Sequence, residues 1–210
     1  MKQSVYLLLF TTVAFNSYSQ NRTLSAIKSE LEKSTNPPLY AKKVLKKEIV
    51  IDTIIIRSIS HFQGRVDSLA YHGTVGKVYG PYDNDKVLVQ LLAKSNGQFN
   101  RISQIFIDTS IFINRFADSL SADIINRINT GQSTFEDMAQ AYSMGGEAAT
   151  NGDVGWMAAG SMVPQIEQEL VKRKKGDLFR IWSKNGIHII RKTEETKSDI
   201  GYVLLMRVLL

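Results

Sequence analysis

The first half of the chain alternates short apolar segments with polar breaks. Leu24, Ile27 and Leu31 recur at helical spacing and predict a short amphipathic helix. The Asn-Pro-Pro sequence at residues 36–38 interrupts that pattern and predicts a break. Residues 39–47 fit a second short helix, so the sequence predicts two helices before any strand.

Segments rich in β-branched residues then mark the first strands. Residues 48–59 (EIVIDTIIIRSI) are bounded by polar residues and predict a strand. Residues 75–92 contain two apolar segments around a polar Asp-Asn-Asp turn, which predicts a strand, a turn and a second strand. The polar, glycine-containing segment at residues 94–98 (KSNGQ) predicts a linker.

The second half has a more regular pattern. Residues 102–107 (ISQIFI) predict a strand, and STFE at residues 133–136 has the spacing of a capping box that opens a helix. A glycine-rich loop follows at residues 142–152. Between the strand and the capping box, one apolar face predicts a longer helix ending at Gly131, with the residues Ile113, Phe116, Ala117, Leu120, Ile124 and Ile128.

A third helix and two strands close this half. Pro164 suits the first turn of a helix, and Gly176 lies just past its end. Residues 179–182 and 187–191 predict two strands joined by a turn at residues 183–185. The predicted order is strand, helix, helix, glycine-rich loop, short strand, helix, strand, turn and strand.

Composition places the chain among soluble globular proteins. The 210 residues are 43% apolar and 22% charged, which excludes extended disorder, collagen and a polytopic membrane protein. The absence of cysteine excludes disulfides, thiolate metal sites and a thiol nucleophile. The net charge is +6, but the basic clusters at residues 42–47 and 172–175 have little aromatic interleaving, so we predict no nucleic-acid partner. Solvated helix surface is our interpretation of both clusters, with attraction to anionic lipid or acidic clients as the alternative.

The amino terminus predicts export. Lys2 is followed by the apolar run VYLLLFTTVAF at residues 5–15 and by small residues before Gln20, which is typical of a secretory signal peptide over residues 1–19. The run is shorter than the ~20 residues that span a bilayer, so we expect no integral membrane segment after its removal. A buried N-terminal helix is the alternative. The expected location is the periplasm or the outer envelope of a bacterium, across the inner membrane.

The second half resembles the parvulin-type peptidyl-prolyl cis–trans isomerase domain. The resemblance covers about residues 98–193 and rests on the order of elements and on five ordered motifs: FEDMAQAYS at 135–143, GDVGW at 152–156, GSMVPQIE at 160–167, KGD at 175–177 and SKNGIHII at 183–190. It implies an α+β fold with an antiparallel sheet and flanking helices. It also implies rotation about X-Pro peptide bonds, whose barrier is roughly 18–20 kcal/mol, without a metal or other cofactor.

The resemblance implies an apolar pocket and a polar site. Val154, Met162 and Ile166 take the pocket positions where parvulins carry leucine, methionine and phenylalanine; an ordinary core role is the alternative. His188 and Ser183 match polar parvulin positions and lie at the two ends of one short segment, so they can hydrogen-bond to each other.

Two polar positions of the family pattern differ in this chain. Gln104 takes the place of a histidine on the first strand and can still hydrogen-bond to His188. Gly145 falls where a cysteine or aspartate is usual, which leaves Glu147 as the nearby group that could place negative charge against a twisting amide. We therefore predict His188, Ser183 and Gln104 as catalytic residues with weakened activity.

An internal repeat is the second feature of organisation. Residues 75–91 align without a gap with residues 175–191, and apolar positions coincide, although Leu88 falls on His188. This resembles the tandem parvulin domains of periplasmic chaperone-isomerases, in which one domain is degenerate; generic hairpin patterning is the alternative. We accordingly predict a degenerate module over residues 20–97 and an isomerase domain over residues 98–195.

The C-terminal segment predicts one more strand. Residues 201–210 (GYVLLMRVLL) are apolar nearly throughout, as in a strand covered on both faces. The second half already has its own first strand, so we expect residues 196–210 to return and complete the sheet of the N-terminal module. The predicted partners are unfolded or extended proline-containing segments of envelope proteins. The alternative function is a non-catalytic chaperone that holds peptides in the same groove.

Overall fold

Residues 22–210, which a computed structural model describes, form an α+β fold around a seven-stranded antiparallel sheet. The predicted signal peptide, residues 1–19, lies outside the described residues. The strands are β1 (Ile49–Ile55), β2 (Val78–Tyr82), β3 (Val87–Asp108), β4 (Asp153–Ala158), β5 (Leu178–Ser183), β6 (Gly186–Lys192) and β7 (Lys197–Leu209). The helices are α1 (Leu24–Lys33), α2 (Pro37–Lys43), α3 (Arg65–His72), α4 (Asn114–Asn129), α5 (Phe135–Tyr142) and α6 (Pro164–Leu170), and a 3-10 turn covers Gly146–Thr150.

The 22-residue strand β3 organises the sheet. Along one side it pairs first with β7 and then with β6, which follow each other in the chain. Along the other side it pairs with β2 near its start and with β4 near its middle. β1 adds to β7 and β5 adds to β6, which gives the order β1-β7-β3-β6-β5.

The linker predicted at residues 94–98 is wrong, because these residues form the middle of β3. Lys94 pairs with Val203 and Gln98 with Ser198, so their backbone groups join the ladder with β7. The polar side chain of Lys94 is satisfied as well, since its ammonium group donates to the carbonyls of Tyr71 and Gly73, each at 2.6 Å. A boundary between residues 97 and 98 would cut a continuous strand, and the division into two modules stays a prediction.

The C-terminal strand β7 pairs with two strands that precede the glycine-rich loop in the chain, β1 and β3. β7 lies between β1 and β3, with Tyr202 opposite Ile55 and Val208 opposite both Ile49 and Leu88. Met206 and Val208 pack beneath α1 and α2, whereas Leu205 faces the side of α3. Burial changes face along β7, because Val203 and Leu205 are buried on one face and Met206 and Val208 on the other. Tyr202, Leu204 and Leu209 are exposed, so the expected cover on both faces is wrong: each half of the strand is covered on one face.

The strand predicted over residues 48–59 ends at Ile55, and the contact made by the residues that follow it was not predicted. Residues 57–60 lie along the outer edge of β4: Ala158 N–H donates to the Arg57 carbonyl, and Ile59 N–H to the Trp156 carbonyl. The Ser60 hydroxyl accepts a hydrogen bond from Trp156 N–H at 2.8 Å. The N-terminal half therefore reaches across to the second half and covers this strand edge.

The observed helix caps correct two predictions, the break at residues 36–38 and the cap at Ser133. The Asn-Pro-Pro sequence begins a helix, because Asn36 caps α2 through its side chain and the prolines occupy positions that need no donor. The cap of α5 is Thr134 rather than Ser133, since the Thr134 hydroxyl accepts from Asp137 N–H at 3.0 Å. Along residues 22–210, no helix has the length and apolar character needed to cross a membrane.

Candidate functional site

Strand alternation places the predicted polar residues on one face of the sheet. Ile105 and Ile107 of β3, with Ile187 and Ile189 of β6, point to the opposite face and pack in the core formed with α4 and α5. The intervening Gln104 and His188 therefore point away from that core, because successive side chains alternate between the two faces of a strand. Ser183, at the end of β5, lies across from the start of β6.

A hydrogen-bond chain joins these three residues. His188 Nδ1 lies 3.1 Å from Gln104 Oε1, and His188 Nε2 lies 2.9 Å from Ser183 Oγ. Ser183 Oγ also accepts from Asn185 N–H at 3.2 Å, which ties the hydroxyl to the β5–β6 turn. The structure therefore contains the hydrogen bonds expected from the sequence between Ser183 and His188 and between Gln104 and His188.

Burial sets the protonation state of His188. The residue is 8% exposed, and this burial lowers the pKa of its imidazole from the ordinary value of 6.5, partly opposed by the negative charge of Glu147. The neutral ring carries one proton, and Gln104 Oε1 is an acceptor, so Nδ1–H donates to Gln104. His188 Nε2 then accepts from the Ser183 hydroxyl, which gives the chain a defined direction.

The glycine-rich loop docks against the same region through Phe106. The Phe106 ring stacks at a tilt on His188, with 4.8 Å between ring centroids. The backbone N–H of Phe106 donates to Ser143 Oγ at 2.9 Å, and its carbonyl accepts from Met144 N–H at 2.8 Å. Neither Phe106 nor Ser143 was predicted from the sequence. Phe106 lies two residues from Gln104 on β3, and this spacing places both side chains on the same face of the sheet.

An apolar cluster borders the polar chain, because Ile190 pairs directly with Gln104 across the β3–β6 ladder. Ile190 packs with residues of β3, β5 and α6, and Val154 and Met162 lie half-buried at its surface. Ile166 is 2% exposed, so a ligand would meet its neighbours Val154 and Met162 rather than the Ile166 side chain. Glu167 orders the nearby loop by accepting from the backbone N–H groups of Gly160 and Met162.

The arrangement has the parts that an amide-binding site needs: the half-buried apolar side chains of Val154 and Met162 lie beside a line of fixed hydrogen-bonding groups. Throughout residues 22–210, no group of three or more histidine, aspartate or glutamate side chains is placed to hold a metal ion.

Comparison with known proteins matches this region to the PPIC-type PPIase domain, whose family model covers residues 87–196, more than half of the chain. The chain belongs to this family. The parvulin-type identity predicted from the five motifs is thereby confirmed, and the matched segment includes the N-terminal part of β3 as well as its C-terminal part.

The family relatives are much longer than the matched segment. Chaperone SurA of Chromohalobacter salexigens is 35% identical over 104 residues, 48% of this chain and 24% of the relative. Foldase protein PrsA of Oceanobacillus iheyensis is 34% identical over 84 residues, 38% of this chain and 28% of the relative. A crystallised PpiC-type peptidyl-prolyl cis–trans isomerase domain is 20% identical, with a TM-score of 0.45 over 50% of this chain and 94% of that domain. The chain thus matches less than a third of the length of either curated relative.

Proposed function

We propose that this protein catalyses cis–trans isomerisation of X-Pro peptide bonds. The observation that carries the proposal is the Gln104–His188–Ser183 hydrogen-bond chain, which lies beside the half-buried Val154 and Met162. The apolar wall suits a proline ring, and the polar chain suits the adjoining amide. Both are provided by the segment that matches the family model.

The reaction requires that the site bind a twisted amide better than a planar one. The rotation barrier is roughly 18–20 kcal/mol, and uncatalysed isomerisation takes tens to hundreds of seconds. Each tenfold acceleration needs about 1.4 kcal/mol of preferential binding to the twisted state. Hydrogen-bonding groups whose orientation is already fixed, such as Ser183 and His188, supply such preference without reorganisation.

The substrates we propose are proline-containing segments of unfolded or folding proteins in the bacterial envelope. The signal-like sequence at residues 1–19 supports the location, and the names of the relatives, a chaperone and a foldase, support the kind of client. The activity is weakened, because a glutamine and a glycine occupy positions 104 and 145, where the family pattern has titratable or thiol side chains.

A protease-free assay with peptides that vary the residue before proline tests the proposal. Met162→Ala should raise KM, whereas His188→Ala should lower kcat more than it raises KM. Val171→Ala is the matched control, since Val171 lies just past α6 and is 87% exposed. If wild type and variants all match buffer, the isomerase proposal fails.

The second candidate function is a chaperone that holds extended peptides in the same groove without turnover. The burial of His188 favours it, because a ring with 8% exposure offers little surface to a substrate. Suppression of client aggregation that is lost in Met162→Ala, together with no isomerase activity in wild type, would establish this alternative.

A further inference from the structure

The carboxylate of Glu147 fills the space in which a side chain at position 145 would lie. A Cβ atom added to Gly145 would overlap Glu147 Oε2 and would lie 2.6 Å from Oε1. The backbone of Gly145 has φ −93° and ψ 174°, an extended conformation that any residue adopts. The main chain therefore does not require glycine at this position, and it is the Glu147 carboxylate that would have to move to admit a side chain there.

The carboxylate is held in place by the loop that contacts β3. Ser143 Oγ donates to Glu147 Oε1 at 2.6 Å and accepts from Phe106 N–H at 2.9 Å. The carbonyl of Glu147 accepts from Gly152 N–H at 2.7 Å, which fixes the residue at both its backbone and its side chain. Ser143 takes one carboxylate oxygen, and the other, Oε2, is the one beside Gly145.

This position couples the carboxylate to the hydrogen-bond chain. Phe106, whose N–H holds Ser143, also stacks on His188. The charge of Glu147 raises the pKa of His188 against the larger effect of burial, as expected for a carboxylate near the ring. Glu147 is thus linked through Ser143 to Phe106, whose ring contacts His188.

We propose that Glu147 is a catalytic carboxylate of this site, whose side chain occupies the place that residue 145 leaves empty. The proposal rests on the isomerase function proposed above and adds a residue to it. A planar amide carries partial negative charge on its carbonyl oxygen, and that charge falls as the C–N bond twists and conjugation is lost. A carboxylate beside that oxygen disfavours the planar state more than the twisted one, and so lowers the rotation barrier.

Two kinds of variant test the proposal: one removes the charge of Glu147, and the other moves that charge to position 145. Glu147→Gln keeps an oxygen that can accept from Ser143 but loses the charge, and should lower kcat about tenfold with little change in KM. Glu147→Ala should lose at least as much. The double variant Gly145→Asp with Glu147→Ala places a carboxylate on position 145 itself and should restore most of the activity. Glu194→Gln is the matched control, because Glu194 is an exposed carboxylate paired with Lys175.

A second measurement separates a catalytic from a merely structural carboxylate. In an NMR titration, the pKa of His188 should be lower in Glu147→Gln than in wild type, and the double variant should recover the shift. If wild type isomerises and Glu147→Gln keeps full kcat, this inference is overturned while the proposed function stands. If wild type has no activity, the proposed function fails and this inference with it. If Glu147→Gln misfolds, the double variant decides, since an inactive but folded double variant contradicts the proposal.

Discussion

The β2–β3 and β5–β6 hairpins pair equivalent residues, but their helices pack on different faces. The β2–β3 hairpin pairs Tyr82 with Val87, and the β5–β6 hairpin pairs Trp182 with Ile187, the positions that coincide in the sequence repeat. The register of the first hairpin then shifts between Tyr79 and Tyr82, whereas the second continues without interruption. Whether the first hairpin is a degenerate copy stays a prediction.

The face that two helices bury in the first hairpin is equivalent to the face that carries the polar chain in the second. In the first hairpin, the face of Leu88 is buried beneath α1 and α2. The face of Val87 and Val89 meets α3 and leaves a groove of about 570 Å³. In the second hairpin, the face of Ile187 and Ile189 is buried beneath α4 and α5, whereas the face of His188 carries the polar chain and meets α6 only beside it, at Ile190. Placement of the helices, rather than the hairpin itself, therefore decides where a site can form.

Deleting residues 199–210 should have the largest effect on this comparison. The deletion removes most of β7, which pairs with β1 and with the first half of β3. We expect faster hydrogen exchange across residues 40–94 than across residues 100–192, because β6 keeps both of its neighbours, β3 and β5. Arg207→Ala is the control, since it removes only the exposed ion pair with Asp52. The opposite order of protection would contradict the comparison.

Two single variants, each placing one hairpin's residue at the equivalent position of the other, test this difference between positions 88 and 188. Leu88 is 0% exposed, so Leu88→His buries an unpaired imidazole and should destabilise the fold by roughly 3–5 kcal/mol. His188→Leu should cost only about 1–2 kcal/mol, from the hydrogen bonds lost by Gln104 and Ser183, while it abolishes isomerase activity. Urea unfolding and the peptide assay measure the two effects. Equal destabilisation by both variants would show that the two faces are alike.

Truncating Ile189 and, separately, Val89 should distinguish the closed core beneath α4 and α5 from the groove beside α3. Ile189→Ala leaves a cavity beneath α4 and α5 and should destabilise by roughly 2–5 kcal/mol. Val89→Ala should cost less, about 1 kcal/mol, because water from the groove reaches the space that opens. Chemical denaturation compares the two, and a larger loss for Val89→Ala would contradict the description of an open groove.

The smallest expected effect is a pH dependence of stability due to His188. Its pKa in the folded protein lies below the ordinary value of 6.5, so the unfolded chain binds more protons in the interval between the two values. Stability should therefore fall as the pH drops from about 6.5 toward the folded pKa, and the loss should stop below it. His188→Leu should remove this part of the slope of unfolding free energy against pH. Identical slopes in wild type and variant would show that burial does not shift the titration.

Local sequence patterns predicted the second half well. The helices α4, α5 and α6 and the strands β5 and β6 lie where apolar periodicity, a proline and turn residues placed them. The hydrogen bonds of His188 were also foreseen, because its two partners lie on neighbouring strands with a predictable alternation.

Features that depend on distant partners were not predicted. Residues 94–98 are polar, and only pairing with β7, about a hundred residues later, extends the apolar strand of residues 87–93 through them. The short helix α3 and the contact of residues 57–60 with β4 have the same origin. The position of the Glu147 carboxylate beside Gly145 required the loop conformation, which spacing alone does not specify.

The contact between residues 57–60 and β4 also closes one edge of the sheet. Sheet edges with unpaired backbone groups recruit extended segments of other chains, which is how many domains capture peptides by strand addition. Here the Arg57 carbonyl and the Ile59 N–H already pair with residues 156–158 of β4. This edge of β4 is therefore closed to strand addition by another chain, and an extended segment that pairs with the sheet through its backbone has to do so at a different strand.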